Sequence, residues 1–186
     1  DVDHLFVNLI SGFELDLDTA RRLREVVPGI LYVDLHSLLL AVADEGHREP
    51  RRLQDGREWA ACFDYVQANE RELALAAGGL DPDTFARAVV GQGPTRAIFV
   101  TRGPAGAAWV ARGADGGVTA DEAPLAEGWP GSDPTGCGDV WGATCFLRLV
   151  RGDTLEQAVD AANRAAARNV SHRGADGLFQ HLEGQS

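Results

Sequence analysis

Lysine and methionine are absent from this sequence of 186 residues, and all 17 residues with a full positive charge are arginines. Without lysine, the chain has no P-loop lysine, no Schiff-base lysine and no Ser-Lys catalytic pair. Any phosphate-binding site must therefore use backbone amides, arginine or a metal ion. The lack of methionine, together with an opening Asp-Val-Asp that resembles the middle of ordered structure, leads us to expect a fragment rather than a complete translation product.

Cysteine is scarce as well, and positive charge is in the minority. The three cysteines are odd in number and have no metal-ligand spacing, so neither a disulfide framework nor a zinc site is expected. Acidic residues outnumber basic ones 28 to 17 and give a formal charge of -11, which argues against nucleic acid or a membrane as a partner. No apolar run is long enough to span a membrane and the start has no signal-peptide pattern, so we predict a soluble cytoplasmic protein.

The sequence does contain an alternation of strand and helix patterns. Short apolar runs predict strands at 5–10, 30–35, 64–67 and 97–101. Apolar residues at helical spacing predict helices at 16–27, 58–63, 69–77 and 82–90. This order predicts an α/β fold with a mostly parallel sheet, and a hydrophobic content of 45% suits a single domain over residues 1–186.

The pattern changes in the C-terminal half of the chain. Two short apolar runs at 106–112 and 118–120, separated by glycines, predict an antiparallel hairpin. Two long helices are predicted to follow, at 137–151 and 154–172. The segment 44–57 mixes arginine, histidine and acidic residues without periodicity, and we interpret it as a solvated loop.

Polar residues lie at the carboxyl ends of the predicted parallel strands. They are Ser11, Asp34 with His36, Asn69 and Thr101. These ends share one edge of a parallel sheet, where ligands bind, so the residues indicate a binding site. The same residue types also cap helices in the turns that follow strands, and this alternative stays open.

The most specific local pattern is Asp-Pro-Thr-Gly-Cys-Gly-Asp at residues 133–139, which leads into a predicted helix. Gly136 and Gly138 leave backbone amides sterically accessible at the helix N-terminus, where the helix dipole adds partial positive charge. Such a site can bind an anion without lysine. Asp139 falls in the first turn of the helix, where the dipole favours an ionised carboxylate that can accept a proton.

Three other interpretations of this motif compete. The glycine spacing that begins at Gly136 resembles a dinucleotide-binding loop, but such a loop follows a strand, and the prolines before this motif argue against one. Cys137 at a helix N-terminus is a candidate nucleophile, with His36, His172 or His181 as its base. A capped helix with a purely structural glycine turn is the third interpretation.

Taken together, the motifs resemble those of the PfkB family, the ribokinase-like sugar and nucleoside kinases. Residues 133–139 are similar to the family's D-T-x-G-A-G-D signature, with Pro134 and Cys137 as departures. Residues 69–72 match the family's N-x-x-E motif, and residues 101–106 match its T-x-G-x-x-G motif. The resemblance implies a three-layer α/β/α fold with a C-terminal hairpin, of which this chain is the nucleotide-binding portion.

The resemblance also implies an activity, which is the ATP-dependent phosphorylation of a hydroxyl group on a sugar or nucleoside. Asp139 would be the base that takes the proton from the attacking hydroxyl group. The amides of Gly136, Cys137 and Gly138 would form an anion hole for the transferred phosphoryl group.

Ligand-binding roles follow from the same resemblance. Asn69 and Glu72 would act on Mg²⁺ and the phosphates through water. The nucleotide cleft would be lined by Thr101, Gly103, Gly106 and Asn163. Asp133 and Thr135, with carbonyls from residues 170–176, match a site for a monovalent cation such as K⁺ that some family members carry.

Part of the family pattern is missing from this sequence. Family members carry an N-terminal part with the early strands, most acceptor-binding residues and a β lid, and none of it is recognisable here. The resemblance therefore implies either a homodimer formed through a missing lid or a complementary chain that supplies the N-terminal portion. The alternative function is a non-catalytic nucleotide-binding module or an inactive kinase fragment.

Overall fold

The computed structural model describes residues 2–43, 46–125 and 133–172, which form an α/β architecture. The strands are β1 (Leu5–Asn8), β2 (Leu31–Asp34), β3 (Leu40–Val42), β4 (Arg48–Pro50), β5 (Tyr65–Asn69), β6 (Ala97–Thr101), β7 (Ala107–Arg112) and β8 (Val118–Ala123). The helices are α1 (Leu17–Val26), α2 (Gly56–Ala61), α3 (Glu70–Ala76), α4 (Pro82–Gln92), α5 (Cys137–Val150) and α6 (Leu155–Asn169). Single turns of 3₁₀ helix lie at His36–Leu39 and Gly103–Ala105.

The main sheet has the strand order β1-β2-β5-β6-β7-β8. Strand β2 pairs in parallel with β1 on one side and with β5 on the other, and Asp34 is the register partner of both Asn8 and Gln67. The carboxyl ends of these strands therefore lie at the same edge of the sheet. Strands β7 and β8 are neighbours joined by a tight turn, which requires them to run antiparallel. The predicted α/β class, with a mostly parallel sheet and a hairpin, is confirmed.

Helix starts follow the capping residues in the sequence. The side chain of Asp16 accepts a hydrogen bond from the Thr19 amide at 2.7 Å and caps α1. Asp81 caps α4 through the Thr84 amide at 2.8 Å, with a proline in the first helical turn. These caps satisfy amides that a helix N-terminus otherwise leaves unpaired, so each helix begins directly after its aspartate.

The segment 44–57 differs from the solvated loop that its composition predicts. Residues 48–50 form strand β4, which pairs antiparallel with β3 in a second sheet of two strands, and α2 begins at Gly56. The loop interpretation is therefore wrong for these residues. Three-residue strands that are half-buried or exposed are too short to show a period in the sequence.

The central strands bury side chains on both faces of the sheet. Tyr32, Tyr65 and Phe99 stack on one face, with ring centroids 5.9 Å apart for Tyr65 and Phe99. Val33 and Val66, which are register partners, join the apolar cluster of the other face. Helix residues of that cluster include Ala20, Trp59, Leu73, Phe85 and Val89.

The amino ends of the strands are held together by Asp64, whose side chain is buried directly before β5. Its Oδ2 accepts a hydrogen bond from the Leu31 amide at 2.9 Å and pairs with Arg24 Nη1 at 2.7 Å. Its Oδ1 lies 3.2 Å from Arg96 Nε, and its carbonyl accepts from the Arg96 amide at 2.7 Å. One carboxylate thus links the starts of β2, β5 and β6 at the edge opposite the predicted site.

Two compact units are distinguished within the chain. Among the described residues, those within 2–100 and 108–121 form the first unit, and those within 101–107 and 122–172 form the second. The second unit contains α5 and α6, which pack against each other. Helix α5 buries every fourth residue, at Cys137, Trp141, Cys145 and Leu149. The prediction of a single domain stays a prediction.

Candidate functional site

The start of α5 is a glycine turn of defined geometry. The Cys137 amide donates to the Pro134 carbonyl at 3.1 Å, and Gly136 has φ 76° and ψ -5°. Thr135 has a negative φ, so residues 134–137 form a type II turn, in which the third residue needs a positive φ. Asp133 Oδ1 accepts from the Thr135 amide at 3.0 Å and fixes the entry to the turn. The motif therefore needs glycine at position 136, because this position of the turn has a positive φ.

The turn and the residues after it are open to solvent. Gly138 and Asp139 are exposed and Gly136 is half-buried, so the predicted anion hole and its neighbouring carboxylate are not sealed under side chains. Asp139 lies in the first turn of α5, as predicted. One predicted donor is already engaged, because the Cys137 amide closes the turn. Gly136 and Gly138 stay the predicted anion-binding positions.

The Cys137 thiol is buried and faces α6. Its Sγ donates to the Ala166 carbonyl at 3.5 Å and lies 3.4 Å from Asn169 Nδ2. Burial raises the pKa of this thiol; the hydrogen bond from Asn169 lowers it in part, and the charges of Asp133 and Asp139 raise it further. A thiol with a raised pKa is a poor nucleophile at neutral pH, so the structure argues against the nucleophile interpretation.

Asn169 is a residue of this site that the sequence analysis does not identify. Its side chain is buried at the end of α6, and its Nδ2 donates to the Thr135 carbonyl at 3.2 Å. The available signal is a polar residue next to the apolar Val170, near the end of the predicted helix at 154–172. Such a residue has no visible partner in the sequence, because Thr135 lies 34 positions away.

Two residues predicted for the nucleotide cleft meet at the end of β8. Asn163 is buried, and its Nδ2 donates to the Ala123 carbonyl at 2.9 Å while its Oδ1 accepts from Trp141 Nε1 at 2.8 Å. Gly106 has φ 86°, and a Cβ there would collide with the same Ala123 carbonyl. Both residues therefore fix the backbone of the β8 end, and a direct role toward a nucleotide stays a prediction.

The other two cleft residues lie beside Gly106. Thr101 is the last residue of β6, and the exposed Gly103 has φ 53° and begins the 3₁₀ turn. The Arg102 amide donates to the Gly106 carbonyl at 2.8 Å, and the Arg102 side chain pairs with Glu122 at 2.7 Å. This turn is compact, and Gly103 lies on its surface.

Asn69 and Glu72 form a capping box at the start of α3. Asn69 Oδ1 accepts from the Glu72 amide at 2.9 Å, and Glu72 Oε2 accepts from the Asn69 amide at 2.8 Å. Glu72 Oε1 lies 2.8 Å from His36 Nδ1. Because both carboxylate oxygens have protein partners, Glu72 fits a bound Mg²⁺ through water rather than as a direct ligand.

The remaining polar strand ends are also hydrogen-bonded. Asp34 is buried and accepts from Gln67 Nε2 at 2.9 Å and from the His36 amide at 3.2 Å. After β1, the Glu14 carboxylate accepts from the amides of the Ser11 turn. Desolvation is the largest single effect and raises the pKa of Glu14, but the hydrogen bonds together outweigh it and lower the pKa to about 2. These hydrogen bonds engage the polar groups at the strand ends, and a binding role for them stays a prediction.

Metal binding rests on few groups in the described ranges. Across residues 2–43, 46–125 and 133–172, no group of three or more His, Cys, Asp or Glu side chains is arranged to hold a metal ion. The Thr135 carbonyl and Asp133 Oδ1 already accept hydrogen bonds. Most of the 170–176 stretch predicted to complete a cation site lies outside the described residues.

No helix in the described part of the chain is both long and apolar enough to cross a bilayer.

Comparison with known families agrees with the motifs. The family model for pfkB family carbohydrate kinases matches residues 41–181, and the chain belongs to this family. A search among curated proteins finds no match. The family assignment predicted from the motifs is therefore confirmed.

Solved structures show the same fold. Ribokinase from Thermotoga maritima is 20% identical, with a TM-score of 0.70 over 98% of this chain and 56% of its own. The nucleoside kinase of Burkholderia thailandensis, in complex with inosine, is 20% identical, with a TM-score of 0.71 over 100% of this chain and 55% of its own. A pyrophosphate-dependent kinase of the ribokinase family, complexed with a pyrophosphate analogue and myo-inositol, is 19% identical, with a TM-score of 0.71 over 97% and 61%. The predicted ribokinase-like fold is confirmed, and this chain spans little more than half the length of these relatives.

Proposed function

We propose that this chain is the nucleotide-binding and phosphate-binding part of an ATP-dependent kinase that phosphorylates a hydroxyl group of a sugar or nucleoside. The observation that carries the proposal is the start of α5, where an open type II turn and the exposed Asp139 lie within one turn of helix. Membership in the PfkB family supports the reaction class.

In the proposed reaction, Asp139 is the general base. Its carboxylate accepts the proton of the acceptor hydroxyl group while that oxygen forms a bond to the γ-phosphorus of ATP. The bond from the γ-phosphorus to the bridging oxygen breaks, and ADP leaves with that electron pair. Phosphoryl transfer needs mainly positioning and electrostatic stabilisation, which a site without lysine can provide.

The charge that develops on the transferred group is stabilised by the turn. The amides of Gly136 and Gly138 would donate to it, and the N-terminal end of the α5 dipole adds partial positive charge. Cys137 would contribute less, because its amide donates to Pro134. Replacing the family's alanine by cysteine leaves the backbone donors in place.

Ions assist the reaction in this proposal. Mg²⁺, when bound, neutralises charge on the β- and γ-phosphates, and Asn69 and Glu72 would hold it through water. Asp133 and Thr135 would contribute to a K⁺ site next to the turn. Thr101, Gly103, Gly106 and Asn163 would shape the cleft for the nucleotide.

The acceptor and the setting complete the proposal. Inosine and myo-inositol are bound by two of the relatives, which supports a polyhydroxylated acceptor here. Acceptor-binding residues would come from the remaining part of the kinase, either in the same polypeptide with a dimerising lid or in a complementary chain. A cytoplasmic location is supported by the cysteines, since Cys62, Cys137 and Cys145 are all free thiols.

The proposal is tested by screening the intact protein against sugars and nucleosides for ADP formation from ATP and Mg²⁺, with and without KCl. We expect ADP to form with one acceptor class and the phosphorylated product to appear in equal amount. Potassium should increase the rate if the cation site is present. ATP binding without product for any acceptor would favour the non-catalytic nucleotide-binding module instead.

A further inference from the structure

Asn169 is in contact with the turn that begins α5, although it lies at the end of α6. Its side chain is 3% exposed. Nδ2 lies 3.2 Å from the Thr135 carbonyl oxygen and 3.4 Å from Cys137 Sγ, and it would be 3.7 Å from a Cβ built on Gly136. A single buried amide group therefore adjoins three consecutive residues of the turn.

The hydrogen bond to Thr135 determines the direction of a neighbouring amide. The Thr135 carbonyl and the Gly136 N–H belong to one planar peptide unit and point in opposite directions. In a type I turn this central peptide is rotated by about 180° relative to a type II turn, which reverses the Gly136 N–H. By donating to the Thr135 carbonyl, Asn169 favours the type II orientation and directs the Gly136 N–H away from α6.

Burial strengthens this constraint. An amide group taken out of water is costly unless its hydrogen bonds are made, so Asn169 has few alternatives to its present partners. The Cys137 side chain contributes as well, because its Sγ bonds to the Ala166 carbonyl one turn earlier on α6. Two contacts therefore hold the turn against α6. One is at the Thr135 carbonyl, directly before Gly136, and the other is at the Cys137 thiol, directly after it.

We propose that Asn169 is a positioning residue for the anion-binding turn, which holds the 135–136 peptide so that the Gly136 amide faces the transferred phosphoryl group. This inference rests on the proposed kinase function. The side chain does not touch the phosphates; it acts through the Thr135 peptide. The cysteine at position 137 is accommodated by the same amide.

The test compares two variants of the intact protein. Asn169→Leu keeps the branching at Cγ, in a somewhat larger side chain, and removes the donor. Thr154→Ala is the matched control, because it removes the N-cap of α6, where Thr154 accepts from the Gln157 amide at 3.3 Å, without touching the turn. Activities are compared at a temperature where both variants are fully folded by circular dichroism.

We expect Asn169→Leu to lower kcat about 10-fold to 100-fold, because misplacing a group costs up to about 10²-fold, whereas losing one anion-hole donor outright costs about 10²-fold to 10³-fold. The Kd for ADP, which lacks the transferred phosphoryl group, should change less than about threefold. The ¹⁵N–¹H signal of Gly136 in unliganded, glycine-labelled protein should shift in Asn169→Leu and stay in place in Thr154→Ala. Thr154→Ala should keep kcat within about twofold.

The inference is overturned if Asn169→Leu leaves the Gly136 signal in place, or if its loss of kcat equals that of Thr154→Ala. These outcomes leave the kinase proposal intact when the wild-type protein transfers phosphate. If the wild-type protein transfers none, the proposed function fails separately. The Gly136 signal of the unliganded variant then decides whether Asn169 holds the turn.

Discussion

At the scale of single residues, the motif at the start of α5 combines a conformational requirement with a chemical one. Gly136 adopts a positive φ that costs other residues about 1–2 kcal/mol, so the turn depends on glycine there. Asp139 is exposed one position beyond the second glycine. Cys137 points the other way, into α6, and is a packing residue rather than a reactive one.

The Cys137 thiol gives a prediction at this scale. Because burial raises its pKa, it should react with iodoacetamide only as pH rises above about 8.5, the ordinary range for thiols. Folding favours the protonated thiol, so the stability it contributes is present below that range and is lost as pH rises through the raised pKa. Mass spectrometry of the Cys137 peptide across a pH series measures this. Complete alkylation at pH 7 would restore the nucleophile interpretation.

At the scale of elements, local signals in the sequence set most boundaries. The strand Ala97–Thr101 is predicted at its observed bounds, and α4 begins at residue 82 as predicted, because both depend on neighbouring residues. Strand β4 is not predicted, because its three-residue pairing with β3 leaves no hydrophobic period in the sequence. Contacts between distant residues were also out of reach. The bond from Asn169 to Thr135 depends on how α6 packs, which the sequence pattern does not specify.

The amino edge of the sheet gives the prediction for this scale. Asp64→Asn should lower the free energy of unfolding by about 2–3 kcal/mol, since it removes a buried charge paired with two arginines that are themselves partly solvated. Asp18→Asn is the control, because Asp18 is exposed and pairs only on the surface of α1, where a loss below about 0.5 kcal/mol is expected. Urea unfolding of both variants measures the difference. Equal midpoints would show that Asp64 does not link the strands.

At the scale of the whole molecule, the proposed function requires the chain to attract a polyanionic nucleotide while it carries a formal charge of -11. Because the chain has no lysine, this proposed attraction would depend on arginine side chains, helix N-termini, backbone amides and bound cations. The family and the fold could be predicted from the sequence because the motifs combine in the right order. The acceptor could not, because this chain spans 55% to 61% of the compared relatives.

The central claim is that the Asp139 carboxylate accepts the proton of the attacking hydroxyl group. It is tested most directly by the rate of ATP-dependent phosphorylation in the intact protein carrying Asp139→Asn, with Asp160→Asn on the exposed side of α6 as the matched control. We predict that Asp139→Asn lowers kcat about 10²-fold to 10⁴-fold while Asp160→Asn stays near wild type. Affinity for ADP should be nearly unchanged in both variants. A kcat for Asp139→Asn equal to that of the wild-type protein would contradict the account.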